Sequence, residues 1–265
     1  MTTRSIIAKF TSTEQNLSRC YHTMSKYLYV GTGTDGIVYR TVDGFDYSEF
    51  YKTGDKYVTA IADYGNALFA GTSPNGRIMM HNFNTANRFH YVTTGDYQVT
   101  AFTVHDDKLY AGTSPSGMIF SFDGSDWTLE YDAYGGGIKS LVSYGDSLYV
   151  FVDGFESIPV LTGGKWGFLQ NGSSTFSISS FSKSTTTIDI LETNKNFDAS
   201  FSCADTMNGV LYFAPGNRCN LYAYDGSSIS IVNQWDGEMI RAISPIGDKQ
   251  LMVAVDNMLY VAEVE

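Results

Sequence analysis

The sequence LYVGT at residues 28–32 returns as LFAGT at 68–72, LYAGT at 109–113, LYVFV at 148–152, LYFAP at 211–215 and LMVAV at 251–255. Successive copies begin 40, 41, 39, 63 and 40 residues apart. A short apolar segment that recurs at such a period indicates an array of similar supersecondary units. The repeat therefore predicts six units in one domain that spans residues 1–265.

Each unit contains other short strands beside the repeated one. A second apolar run follows after a turn, as in GIVYR at 36–40, and a third begins at an aromatic residue, as in DGSDW at 123–127. A fourth run precedes the next copy, as in VTAIADYGN at 58–66, and ends in a Gly, Asn or Asp turn that tolerates positive φ. Four short strands in about 40 residues are typical of a β-propeller blade.

The elements LYxGTxxxGxI and DGxxW resemble those of kelch repeats and of the Asp-box repeats of sialidases. The resemblance implies an all-β chain, folded as a single six-bladed β-propeller of four-stranded antiparallel blades. The full Asp-box pattern is not met, since TVDGFDY is the closest segment and SFDGSDW is one residue short. The resemblance therefore extends to architecture and does not define an activity.

Two segments depart from the regular repeat. The last unit ends after its third strand, and SIIAKFTS at 5–12 has the character of the missing outer strand. We predict that residues 1–12 supply the closing strand of the last blade, which removes free sheet edges from the ring. The 63-residue step predicts an insertion at 172–198, between blades 4 and 5, and a degenerate seventh blade is the alternative.

Composition excludes several classes of function. The formal net charge is −11, which opposes binding to nucleic acid, and no apolar run is long enough for membrane insertion. The start, MTTRSIIAKF, does not resemble a signal peptide, so we expect synthesis in a cytoplasm. Three scattered cysteines, Cys20, Cys203 and Cys219, predict neither a disulfide scaffold nor a zinc site, and no cofactor or metal is expected.

One column of the aligned repeat is wholly polar. It precedes a small residue in the first strand of each unit and consists of Arg19, Thr59, Thr100, Lys139, Ser202 and Arg241. The propeller resemblance implies that this column lies near the mouth of the central channel. Arg19, Lys139 and Arg241 would then gather into an anion-binding site, because low-dielectric walls focus the field of clustered cations. The alternative is that each cation pairs with a nearby carboxylate or extends into water.

Aromatic residues mark the loops that the same resemblance places on one face. These residues are Tyr57, Tyr97, Tyr134 and Trp235. Tyrosine and tryptophan combine an apolar ring with a polar group, which suits contact with a protein or a sugar. Packing within the blades is the alternative interpretation.

The motifs do not predict catalysis. GTGTDG at 31–36 matches a dinucleotide-binding pattern, but a strand rather than a helix follows it, which indicates an ordinary turn. A sialidase would need an arginine triad and a tyrosine nucleophile, and no such set is evident. We predict a non-catalytic binding or assembly module. Its composition resembles that of tailed-bacteriophage virion proteins of the tail, neck or capsid surface, with virion components or a host receptor as partners.

Two alternatives to the virion module remain from the sequence. One is a lectin-like binder of glycans, and the other is a sialidase-like glycoside hydrolase. For a module outside a phage particle, the expected location is the cytoplasm.

Overall fold

The chain is described by a computed structural model. The described residues are 20–42, 46–84, 89–133, 135–154, 158–169, 201–215, 219–237, 239–246, 248–256 and 258–264. All regular structure in these ranges is β-strand, and every pairing is antiparallel, which confirms the all-β prediction. The described ranges hold no helix, and hence none that would span a membrane.

The strands of the first half of the chain form three sheets of four strands each, with neighbours in chain order. The first sheet consists of β1 (Cys20–Met24), β2 (Tyr27–Gly31), β3 (Ile37–Thr41) and β4 (Ser48–Lys52). The second consists of β5 (Tyr57–Tyr64), β6 (Ala67–Ser73), β7 (Arg77–Asn82) and β8 (Phe89–Thr93). The third consists of β9 (Gln98–His105), β10 (Lys108–Ser114), β11 (Met118–Phe122) and β12 (Trp127–Asp132).

The remaining strands form two more sheets of four strands and one of three. The fourth sheet consists of β13 (Ile138–Tyr144), β14 (Ser147–Val152), β15 (Ile158–Thr162) and β16 (Lys165–Leu169). The fifth consists of β17 (Phe201–Met207), β18 (Val210–Pro215), β19 (Asn220–Tyr224) and β20 (Ile229–Gln234). The sixth consists of β21 (Ile240–Ile246), β22 (Gln250–Val255) and β23 (Met258–Glu263). The predicted closing strand at 1–12 and insertion at 172–198 lie outside the described residues.

The repeated apolar segment is the second strand of each described sheet. β6 is buried at every position, and β14 is likewise buried throughout. A strand buried on both faces needs apolar side chains at consecutive positions, which is why these segments do not alternate between apolar and polar residues. The repeat period predicted from sequence thus corresponds to one sheet.

The chain divides into two compact units. The first is Met1–Phe102 with Thr113–Pro115, and the second is Thr103–Gly112 with Ser116–Glu265. The boundary falls within β9 and β10, so the third sheet contributes to both units.

The glycine of the GT dipeptide in the repeat allows neighbouring sheets to approach closely. In the first unit, a Cβ on Gly71 of β6 would lie 2.7 Å from the Cβ of Val99 in β9. In the second unit, a Cβ on Gly112 of β10 would lie 2.8 Å from the Cβ of Ile138 in β13. Contacts between non-bonded carbons are normally about 3.5–4.0 Å. The backbone of the second strand therefore packs directly on a side chain of the next sheet.

The near-match to an Asp-box is a turn held by an aspartate. Between β11 and β12, Oδ1 of Asp123 accepts hydrogen bonds from the backbone N–H groups of Ser125 (2.8 Å) and Asp126 (3.0 Å). These bonds favour the carboxylate and lower the pKa of Asp123 from 3.8 to about 2. Asp225 holds the turn between β19 and β20 in the same way. The aspartate of this Asp-box-like segment thus stabilises the turn of the hairpin between the two outer strands.

Candidate functional site

The turns and loops at one end of the strands are joined by backbone hydrogen bonds. In the first unit, Thr53 N donates to Gly36 O (3.0 Å), and Thr94 N donates to Gly76 O (3.0 Å). Each bond connects the loop that leads to the next sheet with the turn between the second and third strands. In the second unit, Ala133 N donates to Gly117 O (3.1 Å) in the same manner. Loops and turns therefore form a continuous framework at this end of each unit.

A repeated Thr-Gly-Asp motif builds the framework of the first unit. It occupies 53–55 in the loop before β5 and 94–96 in the loop before β9. Oγ1 of Thr53 donates to Gly36 O (2.8 Å) and accepts from Asp55 N (3.2 Å). Thr94 repeats both bonds with Gly76 and Asp96, at 2.9 and 3.3 Å. The threonine of each motif thus forms the same two hydrogen bonds in two successive loops.

The aspartate of each motif connects its loop to the next sheet. The side chain of Asp55 is fully buried, and its Oδ2 accepts a hydrogen bond from Oγ1 of Thr72 in β6 (2.5 Å). Its Oδ1 accepts a bond from the side-chain amide of Asn75, and Arg77 lies 3.7 Å away. Asp96 accepts the equivalent bond from Thr113 of β10 (2.7 Å). The partners are the threonines of the repeated GT dipeptide.

The Thr-Gly-Asp motif has a signal in the sequence that the strand repeat does not reveal. The two Thr-Gly-Asp copies are 41 residues apart, which is the period of the repeat. The corresponding loop of the third sheet has Ala133 in place of threonine. The motif is therefore particular to the first two junctions.

Close packing explains why the last residue of each turn is glycine. Gly36 and Gly76 have φ of +57° and +52°, in the left-handed region where glycine is favoured. A Cβ on Gly36 would lie 2.6 Å from Oγ1 of Thr53 and would overlap the carbonyl oxygen of Asp55. The GxGxxG pattern at 31–36 therefore belongs to a turn against which a loop packs, as its predicted interpretation requires.

A shallow hollow of about 390 Å³ opens between the loop before β5 and two of the turns. Its lining residues are Thr34, Asp35, Lys52, Gly54, Asp55, Lys56, Pro74 and Asn75. Lys52, Lys56 and Asp35 are exposed, whereas Asp55 is buried beneath them. The hollow thus combines the buried, hydrogen-bonded Asp55 with charged groups at its rim.

The rim changes from one junction to the next while the framework is retained. Lys52 and Lys56, which flank the first Thr-Gly-Asp motif, correspond to Thr93 and Tyr97 beside the second. Tyr97 is 55% exposed, and its carbonyl oxygen accepts a hydrogen bond from Gly76 N (3.0 Å). Variable side chains on a conserved local geometry are the arrangement expected of a recognition surface.

The predicted loop tyrosines have different environments. Tyr97 is exposed in the loop before β9, as a contact residue should be. Tyr57 is the half-buried first residue of β5, where it pairs with Ser73 of β6. Tyr134 lies outside the described residues. The structure therefore presents Tyr97 to solvent and holds Tyr57 partly within the sheet.

Trp235 is a packing residue in the second unit. Its half-buried ring packs against a core cluster that includes Ile240 and Val255, and lies 5.9 Å from the ring of Tyr260. The backbone N–H of Trp235 donates to Cys219 O (2.9 Å). These contacts favour the packing interpretation of Trp235, which sequence analysis left open.

The polar column coincides with β-bulges. In the register of four first strands with their neighbours, the shift falls at the column residue: Thr59, Lys139, Ser202 and Arg241. A bulge residue has no direct partner on the adjacent strand, so its side chain takes a new direction. The bulges therefore account for the direction of the column side chains at these four positions.

Local partners satisfy several members of the column. Thr59 donates to Val99 O in the first unit, and Ser202 donates to Ala214 O (3.2 Å) in the second. Nζ of Lys139 lies 3.0 Å from Oδ2 of Asp153, so this cation forms an ion pair. Arg241 is exposed. Arg19 lies outside the described residues, and an anion site formed by the three cations stays a prediction.

Buried ionisable groups of the described residues do not assemble into a metal centre. Among these residues, no three His, Cys, Asp or Glu side chains lie close enough to hold a metal ion. Burial raises the pKa of the Cys203 thiol to about 11. His22 instead contacts Asp63 across the first two sheets, with 2.5 Å between Nε2 and Oδ1. The candidate site is the hollow, with Tyr97 as a neighbouring residue.

Comparison with known proteins shows the fold but no relative in sequence. No family profile and no curated protein matches the chain. Virginiamycin B lyase from Staphylococcus aureus superposes with a TM-score of 0.69 and 9% identity, covering 96% of this chain and 86% of that one. A chain of the Mitotic Checkpoint Complex gives 0.66 and 15%, with 100% and 85% covered. The WD40 β-propeller domain of Doa1 gives 0.53 and 11%, with 94% and 93% covered. The chain therefore has a β-propeller fold.

Proposed function

We propose that the chain is a non-catalytic binding or assembly module that recognises another protein with the loop end of its sheets. The observation that carries this proposal is the change of rim residues on a repeated framework. Thr53 and Asp55 are matched by Thr94 and Asp96, but Lys52 and Lys56 are replaced by Thr93 and Tyr97. A framework that tolerates such replacements leaves its rim available for recognition.

The structural neighbours support an interaction module. They include a WD40 domain and a component of a multiprotein checkpoint complex. We further propose six blades in a ring, with residues 5–12 added to the edge of β23. Among the described residues, β23 is the edge strand of a three-stranded sheet, and its free edge is where such a strand would pair. Both ends of the chain would then belong to the last blade.

The setting that we propose is the virion of a tailed bacteriophage. The low content of charged residues and the many Tyr, Gly and Ser residues support this setting by analogy of composition and build. The first test is mass spectrometry of purified particles, which are expected to contain the chain. Portal and tail genes beside its gene are expected too. Particles without the chain would disprove the virion setting.

The binding surface is tested by site-specific photo-cross-linking. A photoreactive phenylalanine analogue replaces Tyr97 in one sample and Lys26, in the turn between β1 and β2 of the same unit, in the other. Cross-linking in intact particles is expected to join the Tyr97 position to one partner protein and to leave the Lys26 position unreacted. Equal products from both positions, or none from Tyr97, would contradict the proposed surface.

A glycan is the alternative ligand, because the exposed ring of Tyr97 also suits stacking on a sugar. A glycan array that responds to the wild-type chain and not to Tyr97→Ala would favour this alternative. The proposal also excludes sialidase-like activity, so no turnover is expected on a panel of sialosides and aryl glycosides. Turnover that Arg241→Ala abolishes would establish an enzyme instead.

A further inference from the structure

The hollow at residues 34–35, 52–56 and 74–75 carries cations in an acidic protein. Lys52 and Lys56 are both exposed at its rim, whereas the whole chain has a net charge of −11. Among the described residues, neither lysine forms an ion pair. Two such lysines within one concavity produce a local positive potential that opposes the overall charge.

The carboxylates of the hollow do not neutralise this potential fully. Asp55 is buried, and its oxygens are already occupied by Thr72, Asn75 and Arg77. Asp35 is exposed at the rim and is the one solvent-exposed carboxylate in the lining. The exposed lining therefore has two positive charges against one negative charge.

The position of the hollow is well defined because its walls are tied together. Thr53 joins the loop wall to Gly36, and Asp55 joins it to Thr72 and Asn75 of the other wall. A preformed site loses less conformational entropy on binding than a flexible one. The lysine side chains thus extend from a fixed backbone.

The backbone of the exposed residue Tyr97 is bonded to a turn that lines the hollow. Gly76, which follows the lining residue Asn75, donates its N–H to the carbonyl oxygen of Tyr97 (3.0 Å). The main chain of Tyr97 is therefore fixed against the residue that follows Asn75. A cationic concavity next to a tyrosine matches an anionic side chain followed by an apolar or aromatic group.

We propose that this hollow binds a carboxylate side chain of an acidic segment of another protein, with Lys52 and Lys56 as the charged contacts and Tyr97 as the neighbouring contact. The inference rests on the proposed function and names its partner chemistry. A second copy of this chain is the less suitable occupant, since two proteins of net charge −11 repel each other. A carboxylated sugar is treated as an outcome of the test.

The test uses fluorescein-labelled octaglutamate as the probe and octaglutamine as its neutral counterpart. Fluorescence anisotropy is measured with the full chain at about 0.05 M and 0.5 M salt, since screening weakens exposed ion pairs. Octaglutamate is expected to bind saturably at low salt and weakly at high salt. Octaglutamine is expected not to bind.

Three variants decide whether the hollow is responsible. Lys52→Glu/Lys56→Glu is expected to weaken octaglutamate binding about tenfold or more, because two attractions become repulsions. Asp35→Asn is expected to tighten binding about threefold, because it removes the one exposed carboxylate. The control Lys26→Glu/Lys165→Glu makes the same change in net charge at two other exposed positions, the turn before β2 and the first residue of β16, and is expected to leave binding nearly unchanged.

Asp35→Asn also controls for misfolding, because an unfolded chain would not gain affinity. Equal binding by all variants, or equal losses in the hollow and control variants, would overturn the inference. Binding of a fluorescein-labelled glucuronate oligosaccharide that Lys52→Glu/Lys56→Glu abolishes, with no binding of octaglutamate, would replace the acidic protein with a sugar. Failure here is distinguishable from failure of the proposed function. The photoreactive residue at position 97 can also be tested in Lys52→Glu/Lys56→Glu. If it still cross-links to the partner, the binding surface is supported and the carboxylate site is disproved.

Discussion

Replacing Gly76 by alanine separates the cost of a left-handed backbone from the cost of a close contact. Gly76 has φ of +52°, and Gly54, in the neighbouring loop, has φ of +78°. A Cβ on Gly76 would lie 2.8 Å from Oγ1 of Thr94 and 2.9 Å from the carbonyl carbon of Asp96. A Cβ on Gly54 would meet nothing within 4 Å. The two glycines therefore share the backbone conformation and differ in their surroundings.

The expected magnitudes follow from this difference. An alanine in the left-handed region costs about 1–2 kcal/mol, and Gly54→Ala should lose that amount of stability. Gly76→Ala adds an overpacking cost of about 1–3 kcal/mol. The wall cannot move away easily, because Gly76 O accepts hydrogen bonds from both N and Oγ1 of Thr94 (3.0 and 2.9 Å). Gly76→Ala should therefore lose about 2–5 kcal/mol in total.

The assay is urea denaturation followed by tryptophan fluorescence, with the free energy of unfolding extrapolated to water for wild type and both variants. Equal m values would show that the variants expose the same surface on unfolding. The comparison requires Gly76→Ala to be less stable than Gly54→Ala by at least about 1 kcal/mol. Equal losses, or a larger loss at Gly54, would refute the assignment of Gly76 to a tight contact with the loop.

Three further outcomes are expected. Asp55→Ala should lower the free energy of unfolding by about 3 kcal/mol in the same assay, because the bonds from Thr72 and Asn75 to a buried carboxylate are lost. Asp123→Ala should be less stable than wild type at pH 7, measured across a pH series. Because the folded pKa of Asp123, about 2, is below its ordinary 3.8, this difference should disappear as pH falls through that interval. Cys203, with a pKa raised to about 11, should react with iodoacetamide at pH 8 on the order of 100-fold more slowly in the native chain than in urea.

A specific result would contradict each of these three predictions. Asp146→Ala removes an exposed aspartate in a hairpin turn and should change stability by less than about 0.5 kcal/mol. A similar loss for Asp55→Ala and Asp146→Ala would argue against the buried bonds. A pH-independent difference for Asp123→Ala would show that its carboxylate does not hold the turn. Rapid native alkylation of Cys203, read by peptide mass spectrometry, would contradict its burial.

The strands could be predicted from the sequence to within a residue or two. Leu68, Leu109 and Leu148 lie in the second strand of their sheets, and Trp127 begins the outer strand of the third sheet. These positions are predictable because a strand buried on both faces requires consecutive apolar residues and each hairpin requires Gly, Asn or Asp at its turn. Both requirements depend on neighbouring residues, so the sequence of each repeat shows them independently.

Only some features of the candidate site could be predicted from the sequence. Tyr97 was expected on an exposed loop and is found there, whereas Trp235 packs against a core cluster. The charged rim of Lys52 and Lys56 was not recognised. Lys52 ends a strand and Lys56 lies in a loop, and neither position has a pattern of its own. Their shared hollow arises from hydrogen bonds between segments about 20 residues apart, such as that from Asn75 to Asp55. Spacing alone does not reveal such a contact.

The sequence by itself determined the all-β class, the repeat of about 40 residues and the glycine turns, because strand and turn preferences depend on neighbouring residues. The tertiary structure decided which of the polar residues are buried partners and which remain exposed. Asp55 and Asp35 are both loop aspartates in the sequence, yet one is buried under Thr72 and the other borders a hollow. That distinction depends on how one sheet packs on the next, and burial and pairing then determine which charges are available to a partner.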